Sequence, residues 1–167
     1  NHAKRGQILR RLQQYNDALR SYTTAIEIEP DYAWAWNGRG LALTALGEHD
    51  DAMFSFQRAT EHDPTDVWFW YNLADEQLIL KRFEDALYSL GRGIAIDPEH
   101  PECHAKRGQT LRRLDRHEDA LKAYDRALQY RPDYAWAWNG RGLALQFLGR
   151  LEESLVSFER AVEQEHR

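Results

Sequence analysis

Four prolines, Pro30, Pro64, Pro98 and Pro132, each stand 34 positions after the one before. A fixed period of that length implies a repeated supersecondary unit, and it constrains every other position in the chain. Stacking the sequence at this period aligns small residues in columns. One column reads Gly6, Gly40, Ala74, Gly108 and Gly142; a second reads Ala18, Ala52, Ala86, Ala120 and Ser154; a third reads Ala25, Ala59, Gly93, Ala127 and Ala161. A large residue recurs between the second and third as Tyr22, Phe56, Leu90, Tyr124 and Phe158. Two antiparallel helices approach closely only where side chains are small, and bulky neighbours then fill the flanking gaps. Leu43 with Leu46, and Leu111 with Leu114, carry the helical spacing. Breaks at Gly47, Lys81, Asp115 and Gly149 divide each unit into two helices, and the proline ends the second helix and begins the turn to the next unit.

The segment from Trp36 to Pro64, with Trp36, Gly40, Leu43, Gly47, Ala52, Phe56, Ala59 and Pro64, closely resembles the tetratricopeptide repeat. The resemblance extends over the whole chain as five units, 1–32, 33–66, 67–100, 101–134 and 135–167, read as a single array. It implies an all-α fold, a right-handed α-solenoid of antiparallel helical hairpins with the first helix of each on the concave side. His2 and His104 depart from the pattern where an aromatic is usual, and His166 stands where a fifth proline would be. The pattern is already under way at Asn1, so a segment of a longer protein is expected.

A second period sits on the first. His2-Ala-Lys-Arg-Gly-Gln returns at His104, 102 positions or three repeats later, and the thirteen residues from Asp31 to Leu43 return whole from Asp133 to Leu145. Duplication of three-repeat blocks accounts for this, and it implies similar surface chemistry at regular intervals.

Composition narrows the function. The 167 residues are 43% hydrophobic and 29% charged, as a folded chain requires, and the net charge of −5 disfavours wholesale attraction to nucleic acid or anionic membrane. No apolar run is long enough to cross a bilayer. The single cysteine, Cys103, forms no disulfide within the chain and gives no sign of an oxidising compartment, so a cytoplasmic setting is expected.

Helical phase locates a candidate surface. The two tryptophans of Trp34-Ala35-Trp36 lie roughly 200° apart around a helix. The resemblance places Trp36, Trp70 and Trp138 in the packing column against the partner helix, which turns Trp34, Trp68 and Trp136 toward the concave groove. The same stripe carries Asn37 and Leu41; Tyr71, Asn72 and Asp75; Lys106, Gln109, Arg112 and Arg113; and Asn139 and Leu143. Lys4, Gln7, Arg10 and Arg11 extend it in the first unit. Units one and four are thus basic and polar, whereas units two, three and five are aromatic and apolar. Tryptophan beside arginine and asparagine is typical of binding hot spots, and asparagine both donates to and accepts from a peptide backbone. The expected partner is a peptide or protein with acidic groups near the arginines and apolar side chains at the tryptophans. The alternative is that Trp34, Trp68 and Trp136 cover the joints between repeats, stacking on Tyr32 or Tyr134. Arg5, Arg39, Arg107 and Arg141 are expected to pair with acids between units.

Nothing in the sequence suggests catalysis or a cofactor. No phosphate-binding loop, dinucleotide fingerprint or nucleophile elbow occurs. His100, Cys103 and His104 are the one grouping reminiscent of a metal site, but they straddle a helix start without a fourth ligand. His49, His62 and His117 are expected on the polar surface of loops and helix faces. The positions at which some tetratricopeptide domains clamp acidic chaperone tails are here Ala3, Gln7 and Gly38, or Tyr71, Asp75 and Lys106, which lack most of the required set. The expected function is a non-catalytic protein-interaction scaffold. The alternatives are a self-assembling element stacked through its terminal repeats, or the regulatory, substrate-recruiting arm of an enzyme lying outside the segment.

Overall fold

The computed structural model describes residues 1–165; the expected proline substitute His166 lies outside them. Ten α-helices and no strand occur among the described residues: α1 His2–Arg11, α2 Tyr15–Ile28, α3 Ala33–Leu46, α4 His49–His62, α5 Val67–Ile79, α6 Phe83–Ile96, α7 Pro101–Arg113, α8 His117–Tyr130, α9 Ala135–Phe147 and α10 Leu151–Glu165. Contacts divide the chain into two compact units, Asn1–Arg82 with α1–α5 and Phe83–Arg167 with α6–α10.

The helices end where the sequence breaks. Gln13, Gly47, Lys81, Asp115 and Gly149 each adopt a left-handed backbone, with φ between 56° and 78°. In every case the following N–H reaches back five residues, as in Glu48 to the Leu43 carbonyl (3.0 Å) and Arg116 to that of Leu111 (2.9 Å). The left-handed residue itself bonds three back, so otherwise open helix-end carbonyls are satisfied five times over by one motif. Acidic residues open the helices that follow, including Asp50 and Asp51 of α4 and Glu118 and Asp119 of α8, where they oppose the positive end of the helix dipole.

The turns between hairpins are held by the packing column. The indole N–H of Trp36 donates to the Pro30 carbonyl (2.8 Å), Trp70 to Pro64 (3.0 Å) and Trp138 to Pro132 (2.8 Å). His104, the expected departure, does the same work: its Nε2 lies 2.8 Å from the Pro98 carbonyl. A carbonyl only accepts, so this nitrogen carries the hydrogen.

Each unit is wedged open by buried rings lying on glycine. In the first, Tyr22 packs between Gly6 and Gly38, and Phe56 lies against Gly40. In the second, Tyr124 packs between Gly108 and Gly140; a Cβ at Gly140 would stand 2.4 Å from the ring, and one at Gly108 3.0 Å. Ala18, Ala52, Ala86 and Ala120 are fully buried, as their column requires.

Some polar side chains depart from expectation. Arg141 pairs with Asp125 on the preceding helix (2.7 Å), but Arg5 and Arg39 instead donate to Ser21 (3.1 Å) and Ser55 (2.5 Å) of their own hairpins. His49 is tied to the buried carboxylate of Glu76, which also accepts from Thr44 (2.7 Å). His117 stacks flat on Phe147, 4.6 Å between centroids and 4° between planes. Both histidines thus pack against neighbouring helices rather than standing free on the surface.

Candidate groove on the first helices

The fourteen expected groove residues divide evenly between the units. In the first unit, Trp34 and Leu41 on α3 are half-buried, and Asn37 is buried. The Asn72 amide on α5 donates to the Asn37 carbonyl oxygen (2.9 Å), so the faces of α3 and α5 meet at an asparagine pair. That pair consumes one acceptor and leaves Asn72 as the more accessible member. Trp68 is 47% exposed and stands edge-on to Tyr71 (5.5 Å, 75°), with Asp75 half-buried beyond them on the same helix.

In the second unit, Lys106, Gln109, Arg112 and Arg113 lie on α7, and Trp136, Asn139 and Leu143 on α9. Trp136 is 37% exposed, and the Lys106 ammonium sits 5.2 Å from its ring centre. Such cation–ring contacts are worth about 0.5–1 kcal/mol at exposed sites. Arg113 and Asn139 are exposed, whereas Gln109, Arg112 and Leu143 are half-buried. Leu143, Gln146 and Phe147 line an open hollow of about 500 Å³ at the end of α9.

The two units repeat one constellation. Trp34 meets Tyr22 edge-on (6.2 Å, 69°) and tilts over Tyr32 (6.1 Å, 31°); Trp136 meets Tyr124 (6.5 Å, 72°) and Tyr134 (5.9 Å, 33°) in the same way. Burial pushes the ionisation of both Tyr22 and Tyr124 to higher pH, and a hydrogen bond from Arg10 or Arg112 partly opposes it. Arg10 and Arg112 are therefore anchored to the buried tyrosines, each with a buried Nε that makes no hydrogen bond, alongside a buried and unbonded Oε1 of Gln109. One face of each indole is packed on the joint while Trp136 keeps a third of its surface open, so joint-covering and exposure coexist. Helical phase gave no sign of the asparagine pair or the arginine–tyrosine links, which join residues far apart in sequence.

His100, Cys103 and His104 are each occupied structurally: the His100 ring nitrogen accepts from the Cys103 N–H (3.3 Å) to cap α7, and His104 holds Pro98. Among the described residues no group of three or more metal-binding side chains converges. Burial, then the charges of Glu102 and Asp97, push the Cys103 thiol up to about 12. The thiolate is the reactive form, so folded chain at pH 8 is expected to react with a thiol reagent about 100-fold more slowly than urea-unfolded chain. Equal rates, read by absorbance, would contradict that burial. No described helix is long and apolar enough to cross a membrane.

These hairpins, with their left-handed joints and proline-anchored turns, define an all-α repeat protein of the solenoid class. The TPR repeat family profile matches residues 6–47 and 108–149, together half of the chain, and further tetratricopeptide repeat profiles match 33–66, 55–88 and 137–165. The chain belongs to the tetratricopeptide repeat family, whose members are generally protein-interaction modules. No curated protein matches it. Among solved structures, MamA is 23% identical with a TM-score of 0.88, over 96% of this chain and 94% of that one. MamA 41-end from Desulfovibrio magneticus RS-1 is 19% identical, TM-score 0.89, over 99% and 93%. YrrB, described as a TPR protein with an unusual peptide-binding site, is 20% identical, TM-score 0.80, over 98% and 84%. At these identities the likeness is one of fold.

Proposed function

We propose that the chain is a non-catalytic scaffold whose first-helix faces bind a peptide or protein, in a cytoplasmic setting. The observation that carries this reading is the repeated Tyr–Trp–Arg constellation at Trp34 and Trp136, in which Arg10 or Arg112 bonds the tyrosine and Lys106 lies over the Trp136 ring. Aromatic anchors flanked by arginine concentrate binding energy because their packing excludes water at little conformational cost. Acidic side chains of the partner sit near Arg113 and Lys106 and an apolar one on Trp136, and Trp68 offers a comparable apolar platform in the first unit. The fold neighbour YrrB, with its described peptide-binding site, is consistent with this use of the fold. The test is selection from a random peptide library on the natural chain, with a Trp68→Ala/Trp136→Ala chain as the counter-target. Recovery of acidic, apolar peptides that bind only the natural chain supports the reading; peptides indifferent to the substitutions would exclude it.

A second reading, stacking of copies end to end, is favoured by α10. Leu121 and Leu128 of α8 are 6% and 8% exposed, whereas their equivalents one repeat later, Leu155 and Val162, are 59% and 52% exposed. Helix α1 and its C-cap residue offer a complement: Ile8 and Leu12 are exposed, and the helix's charges, Lys4, Arg5, Arg10 and Arg11, are all basic. Five glutamates and one arginine make α10 acidic. Arg5 of one copy meeting Glu159 of another would reproduce the Arg141–Asp125 joint. Head-to-tail contact of this kind forms open chains rather than closed dimers. Sedimentation should show association that grows with concentration and is lost in Leu155→Glu; a monomer at all concentrations would rule it out.

A further inference from the structure

Arginine recurs at one position of the first helices, as Arg5, Arg39, Arg107 and Arg141. Three of the four are tied down. Arg5 donates to Ser21, Arg39 to Ser55, and Arg141 both to Ser157 (2.7 Å) and to Asp125 on the preceding helix (2.7 Å). At Arg107 both kinds of partner have been deleted. Ala123 occupies the serine position, and Gly91 stands one repeat ahead of Asp125. A Cβ at Gly91 would meet nothing within 4 Å, so the space beside α6 is open.

In place of the missing partners is a cavity of about 300 Å³ between α7 and α8, walled by Arg107, Arg116, Lys122 and Arg126 and floored in part by Ala123. Its one carboxylate, Asp119, is already held by Arg116 (2.9 Å) and Lys122 (3.6 Å), and the Arg116 hydrogen bond keeps its ionisation below the usual carboxylate range. Four permanent cations against one carboxylate leave a local surplus of positive charge in a chain whose total is −5. Like charges gathered around a concavity repel one another unless a counter-ion enters, and the cavity walls focus their field. Arg107 lies about 100° around α7 from Lys106, on the flank turned from the groove, so this surface is independent of the peptide reading.

We propose that this cavity is an anion site that takes a phosphoryl group. Guanidinium groups present paired N–H donors that match phosphate oxygens, and a doubly charged phosphoryl group neutralises the cluster better than a single carboxylate. Room for roughly ten waters, at about 30 Å³ each, accommodates a diphosphate or the phosphorylated side chain of a partner. A nucleic-acid strand is the poorer fit, because a chain of net charge −5 repels an extended polyanion.

Isothermal titration with inorganic pyrophosphate, and in parallel with a phosphoserine peptide and its unphosphorylated form, tests the site at about 0.15 M salt. The natural chain is expected to bind at least one phosphorylated probe saturably, with one site per chain. Arg107→Gln and Arg126→Gln, both at exposed positions, should each weaken binding about tenfold while the circular dichroism spectrum stays unchanged. Gly91→Asp/Ala123→Ser restores the two partners that Arg141 enjoys, and it should abolish binding by supplying the missing acceptors from within. Pyrophosphate binding alone identifies a free anion as ligand; tighter binding of the phosphopeptide identifies a modified partner. Absence of saturable binding, equal affinity in all variants, or peptide binding indifferent to phosphorylation would overturn the proposal.

Discussion

Truncating Tyr124 to alanine is expected to destabilise the second unit by about 3–5 kcal/mol, the range for removing a fully buried aromatic side chain. The ring is 1% exposed and lies between the backbones of α7 and α9, whose glycines at 108 and 140 exist to admit it. Neither helix can close over the void without sliding against α8, so most of the cavity persists. For a chain of this length the melting temperature should fall by roughly 6–20 °C. Tyr124→Phe separates packing from polarity: it keeps the ring and loses the link to Arg112, at a cost of about 1 kcal/mol. Urea unfolding of the three proteins decides the matter, and a loss below about 1 kcal/mol in Tyr124→Ala would mean that the ring is not the wedge holding the hairpins.

Removing the open tryptophans should have the largest effect on binding. Trp136 is framed by Tyr124, Tyr134 and Lys106, so a partner group seated on its free face is enclosed on several sides. Truncation of such an anchor costs about 2–4 kcal/mol, or roughly 30- to 1,000-fold in affinity. Arg113→Glu acts differently: the side chain is exposed, and reversing its charge should mainly slow association and reduce the salt dependence of binding. Trp34 should matter less than Trp136, because it is the more enclosed of the pair.

Much of the fold was legible because the information is local and repeated. Proline and small-residue columns recur at one spacing, and each marks a position where a side chain either fits or blocks a neighbouring helix. The left-handed joints were legible at Gly47 and Gly149, where the residue type signals the backbone. At Gln13, Lys81 and Asp115 ordinary side chains adopt the same conformation, and only the register of the repeat reveals them. Which residues share a stripe follows from residue number through helical phase, and the proposed groove rests on that. Its fine structure was not legible. Whether Asn37 faces a ligand or Asn72 depends on how α3 and α5 approach, and burial of Arg112 depends on where the Tyr124 hydroxyl ends. The ties of His49 to Glu76 and of His117 to Phe147 likewise link separate helices, and no spacing rule announces them. The arginine column shows the reverse: Ala123 and Gly91 were readable as missing partners once Arg141 showed what the partners are.

The groove claim is tested most directly by calorimetric titration of a library-selected peptide against the natural chain, Trp68→Ala/Trp136→Ala, and Val156→Ser, which alters the exposed outer face of α10. The account predicts at least a 30-fold loss in the tryptophan double variant, from one anchor of about 2 kcal/mol or more, and no change for Val156→Ser. Equal affinity in the double variant, with its fold intact, would place the partner elsewhere on the chain and contradict the account.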